Sequence, residues 1–278
     1  MTLIVASAQH GTQFVVADRR VTRQSSGILV DDWTYKILQY WNAQQGYQFL
    51  VAYTGLAELS GRSTLDWFMQ SLPEVFDSTT EIAHAIAAFP DECEKELAHI
   101  RTLPPKNKGL TIVLCGRYNR YGPDMRTPEY IPFVAVISNC IDQFGRQTSQ
   151  VSHKLRAHSA RLVRPKAHIT LCRGDLVSAS KHTREFSQAC RLIRRPVSYK
   201  AKVLIAADYI RRVADTSKTV GKNLLGAALL EPWHSEAFDF PENTAVVTKT
   251  MPHLIFANGT QFTDFKVEPI SGEEAEHT

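Results

Sequence analysis

The chain has 278 residues, of which 44% are hydrophobic and 22% charged, and its 32 basic and 28 acidic side chains leave a net charge of +4 with the ten histidines neutral. That length and apolar content suffice to bury a sizeable core, while the charge is too mild to point to a nucleic-acid partner. No basic segment leads into an apolar N-terminal core, no run of about 18 apolar residues marks a membrane span, and the five cysteines (Cys93, Cys115, Cys140, Cys172, Cys190) form no Cys-x-x-Cys pair, which together predict a cytoplasmic protein in a reducing compartment, without disulfides and without membrane contact.

Residues 2 to 9 and 12 to 17 predict the two strands of a hairpin around Gly11, since β-branched and apolar residues dominate both. Ser25-Ser26-Gly27 and Asp31-Asp32 predict a loop or a second small hairpin over 22 to 32. Lys36 to Tyr40 and Tyr47 to Thr54 read as two further strands, the second ending at Thr54-Gly55. Residues 56 to 76 and 80 to 101 then carry helical periodicity. Leu56, Leu59, Leu65, Phe68, Met69, Leu72 and Val75 share one face of the first. Ile82, Ala85, Ile86, Phe89, Cys93, Leu97 and Ile100 share one face of the second. Ser78-Thr79-Thr80-Glu81 is a start signal for the second helix, and Pro90 is a place for a kink. Two helices in succession after a run of strands fit a helical layer laid over a sheet.

A break at 104 to 109 returns the chain to strands at 110 to 116 and 131 to 138, joined by a polar connection at 117 to 130. His153, Lys154, Arg156, His158, Arg161, Arg164 and Lys166 make 150 to 166 basic. Without interleaved aromatics this stretch reads as a solvated hairpin or assembly surface before a phosphate-binding strip. Ala167 to Cys172 predicts a strand running into Arg173-Gly174-Asp175, followed by helices at 181 to 193 and 198 to 215 and a strand at 224 to 230. Short strands are expected at 244 to 250, 253 to 257 and 262 to 267, the last after an Asn258-Gly259 turn. The acidic tail from 271 to 278 is expected to be disordered, leaving one domain over 1 to 270. A P-loop, a Rossmann glycine fingerprint, a zinc-protease helix and a Gly-x-Ser-x-Gly elbow are all missing, and the histidines lack metal spacing, so neither a cofactor nor a metal is expected.

The chemistry concentrates at the start. Removal of Met1 would make Thr2 the terminal residue, combining a hydroxyl nucleophile with an α-amine base whose unperturbed pKa of about 7.7 to 8.0 lies near working pH. Thr2 is followed sixteen positions later by Asp18 within Ala17-Asp18-Arg19-Arg20, then by Thr22, by Lys36 in Tyr35-Lys36-Ile37, and by Thr54-Gly55. This ordered set resembles the opening of a proteasome β-type subunit of the N-terminal-nucleophile (Ntn) hydrolase superfamily, including the bacterial proteasome-like proteins.

The resemblance, together with the element order, implies an α+β fold arranged as a four-layer αββα sandwich. It implies that Lys36 is the cation that favours an alkoxide-like Thr2 and keeps the amine neutral, and that Asp18 orients and neutralises Lys36. Gly55 would supply an oxyanion N–H, with Arg20 and Thr22 positioning substrate. Two departures from the family pattern stand out. Lys36 comes a little late, and Arg173-Gly174-Asp175 replaces the family's Gly-Ser-Gly, so that Asp175 is the candidate support for the Thr2 amine. The segment from Asp215 to Leu224 resembles the family's Asp…Ser-Val-Gly, with Thr219 in the place of the serine. The implied activity is a threonine-type peptidase or amidase acting on peptide or amide bonds inside a ring or spiral homo-oligomer. A catalytically inactive proteasome-like structural protein and a small-molecule amidase are the alternatives. The helix pairs at 56 to 101 and 181 to 215 are the implied contact surfaces, and Trp67, Phe68, Phe76 and Phe89 are expected to be shared in part with a neighbouring subunit.

Overall fold

The computed structural model describes residues 2–22, 29–59, 62–79, 81–100, 103–104, 107–121, 128–164, 166–230, 234–242, 248–250, 253–256, 261–262 and 268–269, with the main chain alone at Thr22, Tyr121, Pro128, Leu176 and from 248 onward. The predicted first hairpin is β1 (Leu3–Gln9) and β2 (Thr12–Asp18), with Ile4 opposite Ala17. The small hairpin follows as β3 (Val21–Thr22) and β4 (Leu29–Asp31). Next come β5 (Ile37–Asn42) and β6 (Tyr47–Gly55).

The expected helix from 56 begins later. β7 (Glu58–Leu59) pairs with β8 (Arg62–Ser63) instead, and α1 (Thr64–Phe76) starts only after Ser63, whose hydroxyl accepts the Asp66 N–H at 3.0 Å. Leu56 and Leu59 are buried from outside the helix, so their spacing imitates a helical face. α2 (Ile82–His99) continues through a buried Pro90.

The polar connection expected at 117 to 130 is largely strand. β9 (Leu110–Tyr121) and β10 (Pro128–Ser138) pair from Thr111–Ser138 out to Tyr121–Pro128. Polar residues conceal this continuation because Arg117, though charged, is buried; residues 122 to 127 lie outside the described residues. β11 (Arg156–Arg161) carries the basic stretch as an edge strand, and β12 (His168–Gly174) leads into α3 (Leu176–Lys181), α4 (Thr183–Ile193) and α5 (Tyr199–Ala214). β13 (Leu224–Leu230) is as expected. β14 (His234–Phe240), in which charged and apolar residues mix, is a strand that the sequence reading missed. β15 (Thr248–Thr250), β16 (His253–Phe256), β17 (Gln261–Phe262) and β18 (Glu268–Pro269) complete the set. The Asn258-Gly259 turn, residues 263 to 267 and the acidic tail lie outside the described residues.

Two seven-stranded sheets result, one in the order β12-β1-β2-β13-β14-β15-β18 and the other β11-β10-β9-β6-β5-β16-β17. Strand alternation places residues of each sheet on two different faces. On one face, Ile4, Ala6, Ala8, Val15, Ala17, Leu225 and Ala227 meet Leu50, Ala52, Val113, Cys115 and Val134 of the other sheet. On the opposite faces, Leu3, Val5, Phe14 and Val16 pack against α4 and α5, whereas Phe49, Val51, Tyr53 and Ile112 pack against α1 and α2. The fold is therefore the αββα sandwich, with the sheets facing each other through many small side chains.

Trp67, Phe68, Phe76 and Phe89 are all buried within this chain, against Tyr53, Phe49 and one another. The expectation that a neighbour shares them is thus corrected: the sheet and the two helices cover them, each such burial contributing roughly 1.5 to 3 kcal/mol. All five cysteines are free. Among the described residues, no helix is long and apolar enough to cross a membrane, and no group of His, Cys, Asp and Glu is arranged to hold a metal ion.

Candidate active site

Thr2 stands just ahead of β1 and shares the inter-sheet face of Ile4, Ala6 and Ala8, so it enters the space between the sheets where the apolar filling ends. Lys36 precedes β5 in the opposite sheet, and Asp18 ends β2. The three come together despite their separation in sequence: the Lys36 Nζ donates to Thr2 Oγ1 and to the Arg20 carbonyl oxygen, and it lies 3.9 Å from Asp18 Oδ1. All are buried, with Thr2 3%, Asp18 0% and Lys36 3% exposed.

Asp18 is held as rigidly as a capping residue. Its carboxylate accepts main-chain N–H groups from Leu3, Gly221 and Arg20, the last at 3.0 Å. Burial raises the Asp18 carboxyl above the ordinary carboxylate value, with Lys36 and these N–H donors pulling the other way. Burial likewise lowers the Lys36 ammonium below the ordinary lysine value, opposed chiefly by Asp18 and then by Asp32 and Asp31. A buried pair of this kind is a charged device that water cannot screen.

Arg20 accepts the Lys36 ammonium through its carbonyl. Its guanidinium makes a two-point contact with Asp32, at 3.1 and 3.2 Å, and donates to the Val220 carbonyl at 3.3 Å, which fastens the 218 to 221 segment beside Asp18. Thr22 contributes main chain to β3 opposite Leu29. Gly55 closes β6 opposite Leu110 with φ 113°, where a β-carbon would stand 2.0 Å from the Gly109 carbonyl oxygen. Only glycine fits that position without displacing the main chain.

Asp175 approaches Thr2 through its main chain, donating its N–H to the Thr2 carbonyl at 3.3 Å. Its carboxylate serves a different group: it caps α3 by accepting the Ser178 N–H at 3.0 Å and also accepts the hydroxyls of Ser178, Ser217 and Thr219. Burial pushes this carboxyl up, and those hydrogen bonds outweigh it, holding Asp175 below the ordinary value. Thr219 therefore joins Asp175, a pairing that the sequence reading, which assigned each of them to the Thr2 nucleophile, did not foresee. Asp215 does not join them; it caps the end of α5 and pairs with Lys222 at 2.8 Å on the surface.

Sequence reasoning missed Ser178 and Ser217 in this cluster. It also left Thr54 as a strand end. Thr54 lies across from Thr2, its Oγ1 accepting the Thr2 N–H at 3.0 Å and donating to the Thr2 carbonyl at 3.1 Å. The alternation Leu50, Ala52, Thr54 was a usable signal, since it puts Thr54 on the inter-sheet face.

No protein-family model matches the sequence. No curated protein matches it at a significant level. The structure, by contrast, is similar to several solved ones. A mutant of Anbu from Hyphomicrobium sp. strain MC1 aligns with a TM-score of 0.54 at 10% identity, covering 88% of this chain and 89% of that one. The helical assembly of the Anbu complex from Pseudomonas aeruginosa aligns with a TM-score of 0.53 at 10% identity over 87% and 88% of the two chains. Anbu from Yersinia bercovieri, an ancestral beta-subunit, gives a TM-score of 0.52 at 12% identity over 87% and 88%. At such identities the shared property is the fold, the proteasome-like sandwich.

Proposed function

We propose that this chain is a cytoplasmic, self-associating N-terminal threonine hydrolase that cleaves amide bonds, with peptides as the preferred substrate class over small amides. The observation that carries the reading is the buried Lys36 ammonium seated on Thr2 Oγ1 with Asp18 behind it. Once the peptide bond preceding Thr2 is cut, its free amine takes the Oγ1 proton as Oγ1 attacks the carbonyl carbon of the substrate. Lys36 stabilises the charge developing on Oγ1, and the Gly55 N–H faces the oxyanion of the tetrahedral intermediate. Collapse breaks the C–N bond, and the leaving amine receives the proton held by the Thr2 ammonium. Water, activated by the same amine, then cleaves the acyl ester and restores Thr2. Self-association draws support from the helical assembly formed by the similar Pseudomonas aeruginosa protein, and the free cysteines support a reducing compartment.

A second reading, a proteasome-like scaffold without activity, is favoured by the 3% exposure of Thr2. Intact mass and an electrophilic probe separate the two. Protein from its native host should have lost the mass preceding Thr2 and should react once with an epoxyketone or β-lactone, at Thr2, with Thr2→Ala folded and unreactive. Folded protein with a free Thr2 amine and no labelling would make the scaffold reading the correct one.

A further inference from the structure

Thr54 is the contribution of β6 to the same site, and the inference rests on the threonine-hydrolase reading above. We infer that its hydroxyl is a positioning group that aims the lone pair of the Thr2 amine at Oγ1. A threonine hydroxyl has one proton to give. Here that proton is committed to the Thr2 carbonyl at 3.1 Å, so toward the Thr2 nitrogen, 3.0 Å away, the oxygen can only accept. The Thr2 nitrogen donates this bond as a peptide N–H; kept after the peptide bond preceding Thr2 is cut, the same bond holds the neutral amine by one N–H and leaves its lone pair free to take the Oγ1 proton.

The surroundings hold Thr54 in this role. It is 5% exposed, pairs in register with Thr111, and Thr111 pairs in turn with Ser138. Thr111 Oγ1 and Ser138 Oγ lie 2.6 Å apart, and Ser138 Oγ also accepts the Cys140 N–H at 2.9 Å. The row Thr54, Thr111, Ser138 continues, strand by strand, the inter-sheet face filled elsewhere by Leu50, Ala52, Val113 and Val134. Hydroxyls in a buried layer cost free energy unless bonded, and this row supplies its own partners except at Thr54, whose partners are the two main-chain atoms of the nucleophile.

The test compares Thr54→Val, which keeps the shape and removes the hydroxyl, with Thr54→Ser, which keeps the hydroxyl. With protein bearing a free Thr2 amine, Thr54→Val should lower kcat by about tenfold, the worth of one neutral hydrogen bond, with KM unchanged, and Thr54→Ser should retain wild-type kcat. An acceptor stabilises the ammonium form, so its removal lowers the amine pKa. The acid limb of the rate profile, and the ¹⁵N shift titration of the Thr2 amine, should therefore move to lower pH in Thr54→Val. Thr54→Ala serves the same comparison if valine prevents folding. Wild-type kcat and an unmoved acid limb in folded Thr54→Val would overturn the inference, as would equal losses in the serine and valine variants with no shift of the limb. Wild-type protein with a free amine and no turnover would instead overturn the reading of the site on which the inference rests.

Discussion

Gly174 and Thr2 touch main chain to main chain: a β-carbon on Gly174 would stand 1.8 Å from the Thr2 carbonyl oxygen, and Gly174 holds φ at 122°, where side chains are strained. β12 can lie beside the start of β1 only because nothing protrudes there; Leu3 is paired with Gly174. Gly174→Ala must therefore shift either strand. We expect it to lower stability by on the order of 1 to 3 kcal/mol and to abolish labelling of Thr2 by a β-lactone. Urea unfolding and probe mass spectrometry measure the two, and undiminished labelling would show that the contact leaves the nucleophile's position unaffected.

Lys36 and Asp18 form a buried charged pair 3.9 Å apart. Removing only the cation strands a carboxylate in the interior, so Lys36→Met should cost about 3 to 5 kcal/mol. Asp18→Asn combined with Lys36→Met should recover much of that loss, since no uncompensated charge then remains, while restoring no activity. Denaturant melts of the four proteins close the cycle. Additive losses in the double variant would mean that the two side chains do not act as a pair.

Burial lowers the Lys36 ammonium below the ordinary lysine value of 10.5, against the pull of Asp18. The mechanism needs the protonated form beside Thr2 Oγ1, so the rate should fall on the alkaline side at a pH below 10.5. Between the lowered native pKa and that ordinary value the unfolded chain holds more protons than the folded one, and on this account stability rises with pH. Activity and fold should therefore part company: kcat declines across a window in which the urea midpoint is maintained or increases. A midpoint that falls in step with kcat would assign the alkaline limb to unfolding instead.

Self-association is tested by light scattering over a range of protein concentrations. We expect a mass several times the 31.3 kDa of one chain. Because Trp67, Phe68, Phe76 and Phe89 are spent inside the chain, substitutions on the exposed faces of the helices, such as Leu204→Glu on α5, are the ones expected to weaken assembly without lowering the melting temperature. A single-chain mass throughout would overturn the assembly proposal.

Local pattern made the two hairpins, the two helix pairs and the β13 strand legible, because alternation and helical spacing are imposed by the layer each segment covers. The ordered set Thr2, Asp18, Lys36 and Gly55, and the departure at Asp175, were legible through the resemblance to a known family rather than through local pattern. Tertiary structure decided what those residues do to one another. The facing of two sheets brings Lys36 and Thr54 to Thr2 across 34 and 52 positions of chain, and no local pattern encodes a contact between strands of different sheets. It turned the Asp175 carboxylate toward Ser217 and Thr219, sent Asp215 to the surface with Lys222, and enclosed the helix-layer aromatics. Burial, which shifts both members of the Lys36 and Asp18 pair, belongs to the packed layers as a whole: the sequence determines which side chains are charged, and only the layers around them determine how little water those charges meet.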